Sequence, residues 1–137
     1  MPYLDIVEAS KHEARSEGGG NHITLTDADF AAGELEDITS GDLVVLDTGL
    51  CGVALTDYNE DNGEVVIDIT GCHWLPISDV VSICSRIYYD EDSGILHAGN
   101  TGDNDVFVGF SLAYDTSYTS AAVDIPVRLW PFGECEA

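Results

Sequence analysis

The sequence predicts an all-β fold, a compact barrel or sandwich built from two similar three-stranded halves, with an extended N-terminal arm. Three observations lead to this prediction. The apolar residues fall in short runs rich in β-branched and aromatic side chains, and Gly, Asp and Asn turns separate these runs. No segment has the length and periodicity of a long helix. The order of signals in the first half of the chain returns in the second half.

The first segment, residues 1–22, is predicted to be an arm that precedes a single β domain at 23–132 and a tail at 133–137. Its apolar residues are followed by Glu17 and a run of glycines, which forms a flexible joint. Such an arm is expected to be flexible or to become ordered on a neighbouring subunit. The interface candidates in the arm are Tyr3, Leu4, Ile6 and Val7.

The strand candidates of the domain are apolar runs between turn-forming residues. Two segments are open to two interpretations: 27–36 forms one helical turn or a loop, and 79–84 forms a short helix or another strand. The strand candidates are 23–26, 43–46, 49–56, 64–70 with its extension 72–75, 86–89, 106–113 and 121–130.

The internal repeat relates the middle of the chain to its last third. Residues 45–47 correspond to 88–90, Gly52 corresponds to Gly109, and Val66 corresponds to Val123. The sequence distance between corresponding positions is larger for the two later pairs, and a longer loop at 91–105 accounts for the difference. Two similar units of three strands then pack face to face or close into one barrel, and chance similarity between β strands is the alternative.

The charge balance excludes several classes of protein. The chain has 26 acidic residues against 4 Lys and Arg, a net charge of −22 at pH 7. Nucleic-acid binding needs a basic surface, and attraction to anionic lipid needs basic clusters, so neither partner is expected. Lys11 is the only lysine. Since self-repulsion opposes compaction unless salt screens it, the composition is typical of proteins that work in near-molar salt, with an ordinary acidic protein as the alternative.

Export and membrane signals are not evident in the sequence. No run approaches 18 apolar residues, and the N-terminus lacks the apolar core of a signal peptide. We therefore expect synthesis in a host cytoplasm.

Catalytic residues and cofactors are not predicted, and the chain is not expected to be an enzyme. His73 follows Cys72 directly, and adjacent side chains of a strand face opposite sides, so these two residues do not form a nucleophile–base pair. No Cys-x-x-Cys motif is present. The cysteines Cys51, Cys72, Cys84 and Cys135 are interpreted as buried free thiols, with a disulfide as the alternative.

Two acidic segments are candidate cation-binding sites. Residues 57–62 alternate oxygen ligands as an EF-hand loop does, but Asn62 stands at the glycine position and Asp68 at the final glutamate position. The second segment contains Asp90, Asp92, Asp103 and Asp105, which are candidate ligands only for a cation at a subunit junction. Solvated loop tips are the favoured interpretation of both, so no metal ligand is predicted.

Aromatic residues beside prolines mark the ends of two strand candidates. Trp74 is expected in the core, whereas Trp130 and Phe132 are interface candidates as well as candidates for the core.

The order and spacing of the sequence segments in residues 23–130 resemble those of the small head decoration, or cement, proteins of tailed phages. This family has long been described as a phage domain of unknown function. The most specific pieces are Gly52-Val53-Ala54, the turn from Tyr88-Tyr89-Asp90 to Gly94, and Val127-Arg128-Leu129. The chain departs from the family at Ser85-Arg86, where members commonly have Gly-Asp, in its extra arm and in its acidity. The matching strings are SGDLVVLD, GLCGVALTD, GEVVIDITG, RIYYDEDSGIL, DVFVGFSLAYD and AAVDIPVRL.

The resemblance implies a β-barrel-like fold, a homotrimer bound to the major capsid protein on the exterior of the virion, and no catalysis. Combined with the acidity, it leads to the expectation of a capsid decoration protein from a tailed virus of a salt-loving archaeal host. The alternative, suggested by the loop aspartates and the aromatic residues, is a cation-dependent binding module or adhesin on a virion or cell surface.

The net charge predicts that stability depends on salt. When salt falls well below about 1 M, where the Debye length is about 3 Å, screening fails and the chain should unfold or lose its trimeric contacts. Thermal unfolding followed by circular dichroism from 0.1 to 3 M KCl measures this. A melting temperature that stays constant across the series contradicts the prediction.

Overall fold

The computed structural model describes residues 4–7, 21–98, 105–113 and 122–131. The all-β prediction is confirmed. The helical content of these ranges is a 3₁₀ turn at Asp27–Asp29, and none of their helices has the length and apolar character to cross a membrane. The strands are β1 Leu4–Val7, β2 His22–Thr26, β3 Leu43–Leu46, β4 Cys51–Ala54, β5 Glu64–Asp68, β6 Cys72–Ile77, β7 Arg86–Asp90, β8 Ile95–Ala98, β9 Asp105–Ser111 and β10 Val123–Leu129.

The strands form two layers, and the chain passes from the first layer to the second at Gly71. Strands before it make a five-stranded sheet in the order β1-β3-β4-β5-β2, and strands after it make a closed barrel in the order β10-β6-β8-β7-β9. All neighbouring pairs are antiparallel except β6 and β8, which run parallel and share one register pair, Ile77 with Leu96. The segment 79–84, predicted as helix or strand, is neither and links β6 to β7.

The predicted three-stranded units are contained in this topology. β3, β4 and β5 are antiparallel neighbours in the sheet, and β7, β9 and β10 are antiparallel neighbours in the barrel. Each unit is extended by two further strands, so the halves are five-stranded rather than three-stranded. Two of the additional strands, β2 and β6, were among the strand candidates but not part of the repeat, whereas β1 and β8 have four residues each and show too weak a periodicity to be recognised.

The two glycines of the repeat occupy comparable tight places. A Cβ atom on Gly52 would collide with the Ile67 side chain, and one on Gly109 would collide with the carbonyl oxygen of Arg128. In each unit, the middle strand therefore approaches the third strand too closely for any other residue.

The main core lies between the sheet and the barrel. One face of the sheet contributes alternate residues of β3 and β4, and the barrel contributes its inward-facing side chains. This alternation follows from the two-residue period of a strand. The members are Leu43, Val45, Cys51, Val53, Leu75, Ile77, Val81, Ile87, Tyr89, Leu96, Val108, Ile125, Val127 and Leu129.

A second core covers the opposite face of the sheet. Val44 and Ala54 on this face pack with residues of β1, β2 and β5. Leu35 and Ile38 close the core from the connection between β2 and β3, and both are buried although the connection has no regular structure beyond the 3₁₀ turn. The sheet is therefore buried on both faces, which explains why β3 reads as the continuous apolar run Leu-Val-Val-Leu.

The N-terminal strand pairs with β3 of its own chain, with Leu4 opposite Leu46. Leu4 and Ile6 pack into the second core, and Val7 packs against the main core. Within the single chain, its alternating apolar residues match the two faces of the sheet edge. The expectation of an arm that is flexible or becomes ordered on a neighbouring subunit stays a prediction for the assembly. The domain also begins earlier than predicted, since β2 starts at His22. Tyr3, residues 8–20 and the predicted tail at 133–137 lie outside the described residues.

A hydrogen bond fixes this strand to the barrel. The Tyr89 hydroxyl donates to the Asp5 carboxylate over 3.2 Å. Burial, together with the charge of Asp5, raises the pKa of Tyr89 to about 12, so the hydroxyl keeps its proton and remains a donor at neutral pH.

Leu35→Ala tests the irregular connection as part of the second core. The substitution should lower the free energy of unfolding by about 2–5 kcal/mol, because it opens a cavity in a closed site. Denaturant unfolding in molar salt measures this. Leu112→Ala is the matched control, since Leu112 is 45% exposed and should cost little. Equal costs for the two variants would contradict the assignment of Leu35 to the core.

Candidate functional site

One outer face of the barrel carries basic and aromatic side chains. Trp74 on β6 lies opposite Pro126 on β10, and Phe110 on β9 lies opposite both Arg128 on β10 and Arg86 on β7. Directly opposed residues of neighbouring strands project to the same side. We call this surface the barrel face, and it comprises Trp74, Arg86, Phe110, Pro126, Arg128 and Trp130.

The barrel face holds both arginines of the described residues. Arg128 is exposed and Arg86 is partly buried. One carboxylate, that of Asp124 opposite Pro76, continues the same row at the end of β10. In a chain with 26 acidic residues, this concentration of cationic side chains distinguishes the face from the acidic loops.

Its aromatic rings are in mutual contact. Phe110 packs edge-on against Trp130, with ring centroids 5.8 Å apart, and against Phe107 at 5.4 Å. Phe107 in turn lies 5.7 Å from Tyr88. Trp130, an interface candidate from the sequence, is 37% exposed. The edge-on contact with Phe110 thus supports the Trp130 ring at the surface.

Trp74 corrects a sequence-based expectation. It was assigned to the core, but it is 45% exposed. It lies between the buried residues His73 and Leu75, so the alternation of β6 directs it outward. The apolar character of Trp74 gave no information about which side of the strand it occupies.

The remaining interface candidates divide into two groups. Leu4 is buried, and Ile6 and Val7 are partly buried within their own sheet, so none of these three lies on the barrel face. Tyr3 and Phe132 lie outside the described residues.

A groove of about 420 Å³ runs beside Trp130. The turn between β3 and β4 forms one wall, and β9 forms the other. Cys51 lines the groove but is buried, and burial raises the pKa of its thiol to about 12, so it is a poor nucleophile at neutral pH. The other described cysteines are also free thiols: Cys72 is partly buried and Cys84 is exposed, in contrast to the prediction of burial. Cys135 lies outside the described residues.

A second feature is a group of three metal-ligating side chains at one end of the barrel. Asp90 on β7, His97 on β8 and Asp105 on β9 each place a ligand atom within 4.8 Å of the other two. Asp90 and Asp105 belong to the set proposed from the sequence. Asp92 lies in the following turn, where its N–H donates to Asp90 over 2.9 Å, and Asp103 is outside the described residues.

The sequence predicts one long loop at 91–105, and this prediction did not identify His97 as a neighbour of Asp90. The signal for its position was the short turn at 91–94, which joins two runs of β-forming residues into a hairpin. Recognition of that hairpin would have placed His97 opposite Tyr88, two residues from Asp90.

The geometry around His97 is closely defined. Its Nε2 lies 3.2 Å from Asp105 Oδ1, and its Nδ1 lies 3.4 Å from the carbonyl oxygen of Ala98. The side chains of His97 and Asp105 are 11% and 2% exposed. The backbone N–H of Asp92, followed by the Ser93 hydroxyl, lowers the pKa of Asp90, so this residue is a carboxylate at neutral pH.

The loop at 57–62 uses its side-chain oxygens differently. Asn59 and Asn62 accept hydrogen bonds from the backbone of Asp61 and Glu64, and Asp57 accepts one from Ser40. These bonds stabilise the turns of the loop itself. In the ranges that the structure covers, no acid of this loop joins a group of three His, Cys, Asp or Glu ligands.

A buried histidine–aspartate pair connects the two layers. His73 Nε2 on β6 lies 2.8 Å from Asp68 Oδ2 on β5, and both side chains are inaccessible to solvent. Gly71 lies beside the pair, and a Cβ atom there would collide with the Asp68 carboxylate. Asp68, five residues before His73, is thus the acid that orients the buried imidazole. Cys72 faces the opposite side, opposite Arg128, as expected from strand alternation.

No family model, no curated protein and no solved structure matches this chain.

Asp68→Ala tests the pair as the link between sheet and barrel. The substitution removes the carboxylate that faces the buried imidazole of His73. Because a buried polar group then loses this partner, the free energy of unfolding should fall by about 3 kcal/mol. Chemical denaturation in molar salt measures the loss. Asp61→Ala, in the exposed loop, removes the same charge and should change stability by less than about 0.5 kcal/mol. If loss of negative charge stabilises both variants equally, the pair does not have this role.

Proposed function

We propose that this chain is a structural virion protein that decorates the capsid. It would bind the assembled lattice of the major capsid protein from the outside, as a homotrimer, and stabilise the shell in high salt. The observation that carries the proposal is the barrel face, where exposed tryptophans and both described arginines lie together on an otherwise acidic chain.

Electrostatics favours the barrel face as the contact surface. A chain with a net charge of −22 is repelled by other acidic surfaces unless the contact region is apolar or basic. Aromatic residues and arginine are the types most enriched in protein interfaces, and they dominate binding energies. Trp74, Trp130 and Arg128 are exposed residues of these types.

The proposed role requires affinity for the assembled shell and no chemistry. A protein that binds only the assembled lattice adds its binding free energy to the stability of that lattice. Threefold repetition increases the effective concentration of each contact, so three modest faces together bind firmly. The acidic loops remain hydrated at the outer surface.

Quantitative mass spectrometry of purified virus particles tests the location. We expect the chain at a fixed ratio to the major capsid protein, and we expect particles stripped of it to break at lower temperature. Particles that lack the chain contradict the proposal. Sedimentation equilibrium of the purified chain in molar KCl tests the trimer, and a monomer under these conditions excludes that part.

Substitutions on the barrel face test the contact surface. Trp130→Ala and Arg128→Glu should each weaken rebinding to stripped particles by about 30-fold, the effect of losing a residue worth about 2 kcal/mol. Ile83→Ala is the control, because Ile83 is 61% exposed in the connection between β6 and β7. Equal binding by all three variants would mean that another surface meets the shell.

A further inference from the structure

The group formed by Asp90, His97 and Asp105 has the donor set of a metal site. One imidazole nitrogen and two carboxylates converge from three adjacent strands of a closed barrel. A tetrahedral ion with bonds of about 2.1 Å holds its ligand atoms about 3.4 Å apart. The 3.2 Å between His97 Nε2 and Asp105 Oδ1 agrees with that spacing. The ligand atom of Asp90 lies within 4.8 Å of both, so a bound ion would draw this partly exposed residue inward.

The register of the strands places like charges against each other. Asp90 is directly opposite Asp105 in the β7–β9 ladder, an arrangement that destabilises a sheet when both residues are ionised. The Asp105 side chain is almost completely buried, and its Oδ1 faces His97 Nε2 inside the barrel end.

The orientation of His97 supplies an independent indication. Its Nδ1 is directed at the carbonyl oxygen of Ala98, which only a protonated nitrogen can approach favourably. The other ring nitrogen, Nε2, faces Asp105 Oδ1 and is the atom available to a bound ion. Metal-bound histidines typically donate their other N–H to a backbone carbonyl in this way.

We propose that Asp90, His97 and Asp105 bind one divalent transition-metal ion of the zinc class, with solvent in the remaining position. The inference goes beyond the proposed function, because the site belongs to the isolated chain and does not involve the capsid. Asp105 also lines the groove beside Trp130, and Asp90 is partly exposed, so the site has a route to solvent.

The donor set selects the class of ion. Imidazole with two carboxylates suits zinc and its neighbours. Calcium takes six to eight oxygen ligands, and magnesium prefers to keep most of its water, so neither is favoured by a site with a buried imidazole. Bound metal would connect β7, β8 and β9 at one end of the barrel and neutralise the opposed carboxylates.

Calorimetric titration of the chelator-treated full chain with ZnCl₂ in molar KCl tests the proposal. We expect one saturable equivalent and a higher melting temperature in its presence. Asp90→Asn and Asp105→Asn should each weaken binding at least tenfold. Asp61→Asn removes the same charge from an exposed loop, and Cys84→Ser removes an exposed thiol, so both controls should bind as the unmodified chain does.

Nuclear magnetic resonance of the histidine rings provides a readout that needs no variant. One equivalent of ZnCl₂ should shift the ring resonances of His97 and leave those of the enclosed His73 unchanged. The proposal is overturned by a lack of saturable binding, by unchanged His97 resonances, by binding that Cys84→Ser abolishes, or by equal competition from CaCl₂. These outcomes are independent of capsid binding, so they separate this site from the proposed function.

Discussion

Burial of the five-stranded sheet on both faces is the constraint on which the rest of the structure depends. One face packs on the barrel, and the other is covered by an irregular connection that contributes Leu35 and Ile38. Alternate apolar residues of β3 and β4 therefore belong to different cores, and a shift of register by one position would exchange the two sets. This explains how short strands and an irregular connection build two cores, and why the short β1 strand has apolar residues for both.

Scarcity of cationic residues is the second constraint, and it determines how carboxylates enter the fold. With four Lys and Arg for 26 acids, carboxylates in the fold are satisfied mainly by neutral donors or histidine. Asp68 uses His73, Asp5 uses the Tyr89 hydroxyl, and the buried Asp42 accepts from the backbone and hydroxyl of Thr39. Both described arginines lie on the barrel face.

Local pattern predicted much of the fold. The β-branched runs placed β3, β5 and β7 within one or two residues of their bounds, and the repeat identified strands that are indeed neighbours. Strand β8 was missed because its four residues were counted as part of a long loop. The candidate sites were harder to predict, since His73 meets Asp68 and His97 meets Asp105 through layer packing and strand register. These relations are long-range, whereas sequence periodicity is local. Trp74 illustrates the same limit, because composition does not determine which side of a strand faces solvent.

The closure of the barrel between β6 and β8 has a consequence for how the native state opens. This is the only parallel contact among the described strands, and it rests on one register pair, a hydrogen bond from the Ser78 N–H to Leu96, and the Asp79 carboxylate accepting from the Ala98 N–H. A seam with so few ladder bonds is the element of lowest local stability. Partial opening therefore begins there and converts the barrel into a curled sheet while the two-sided sheet stays intact.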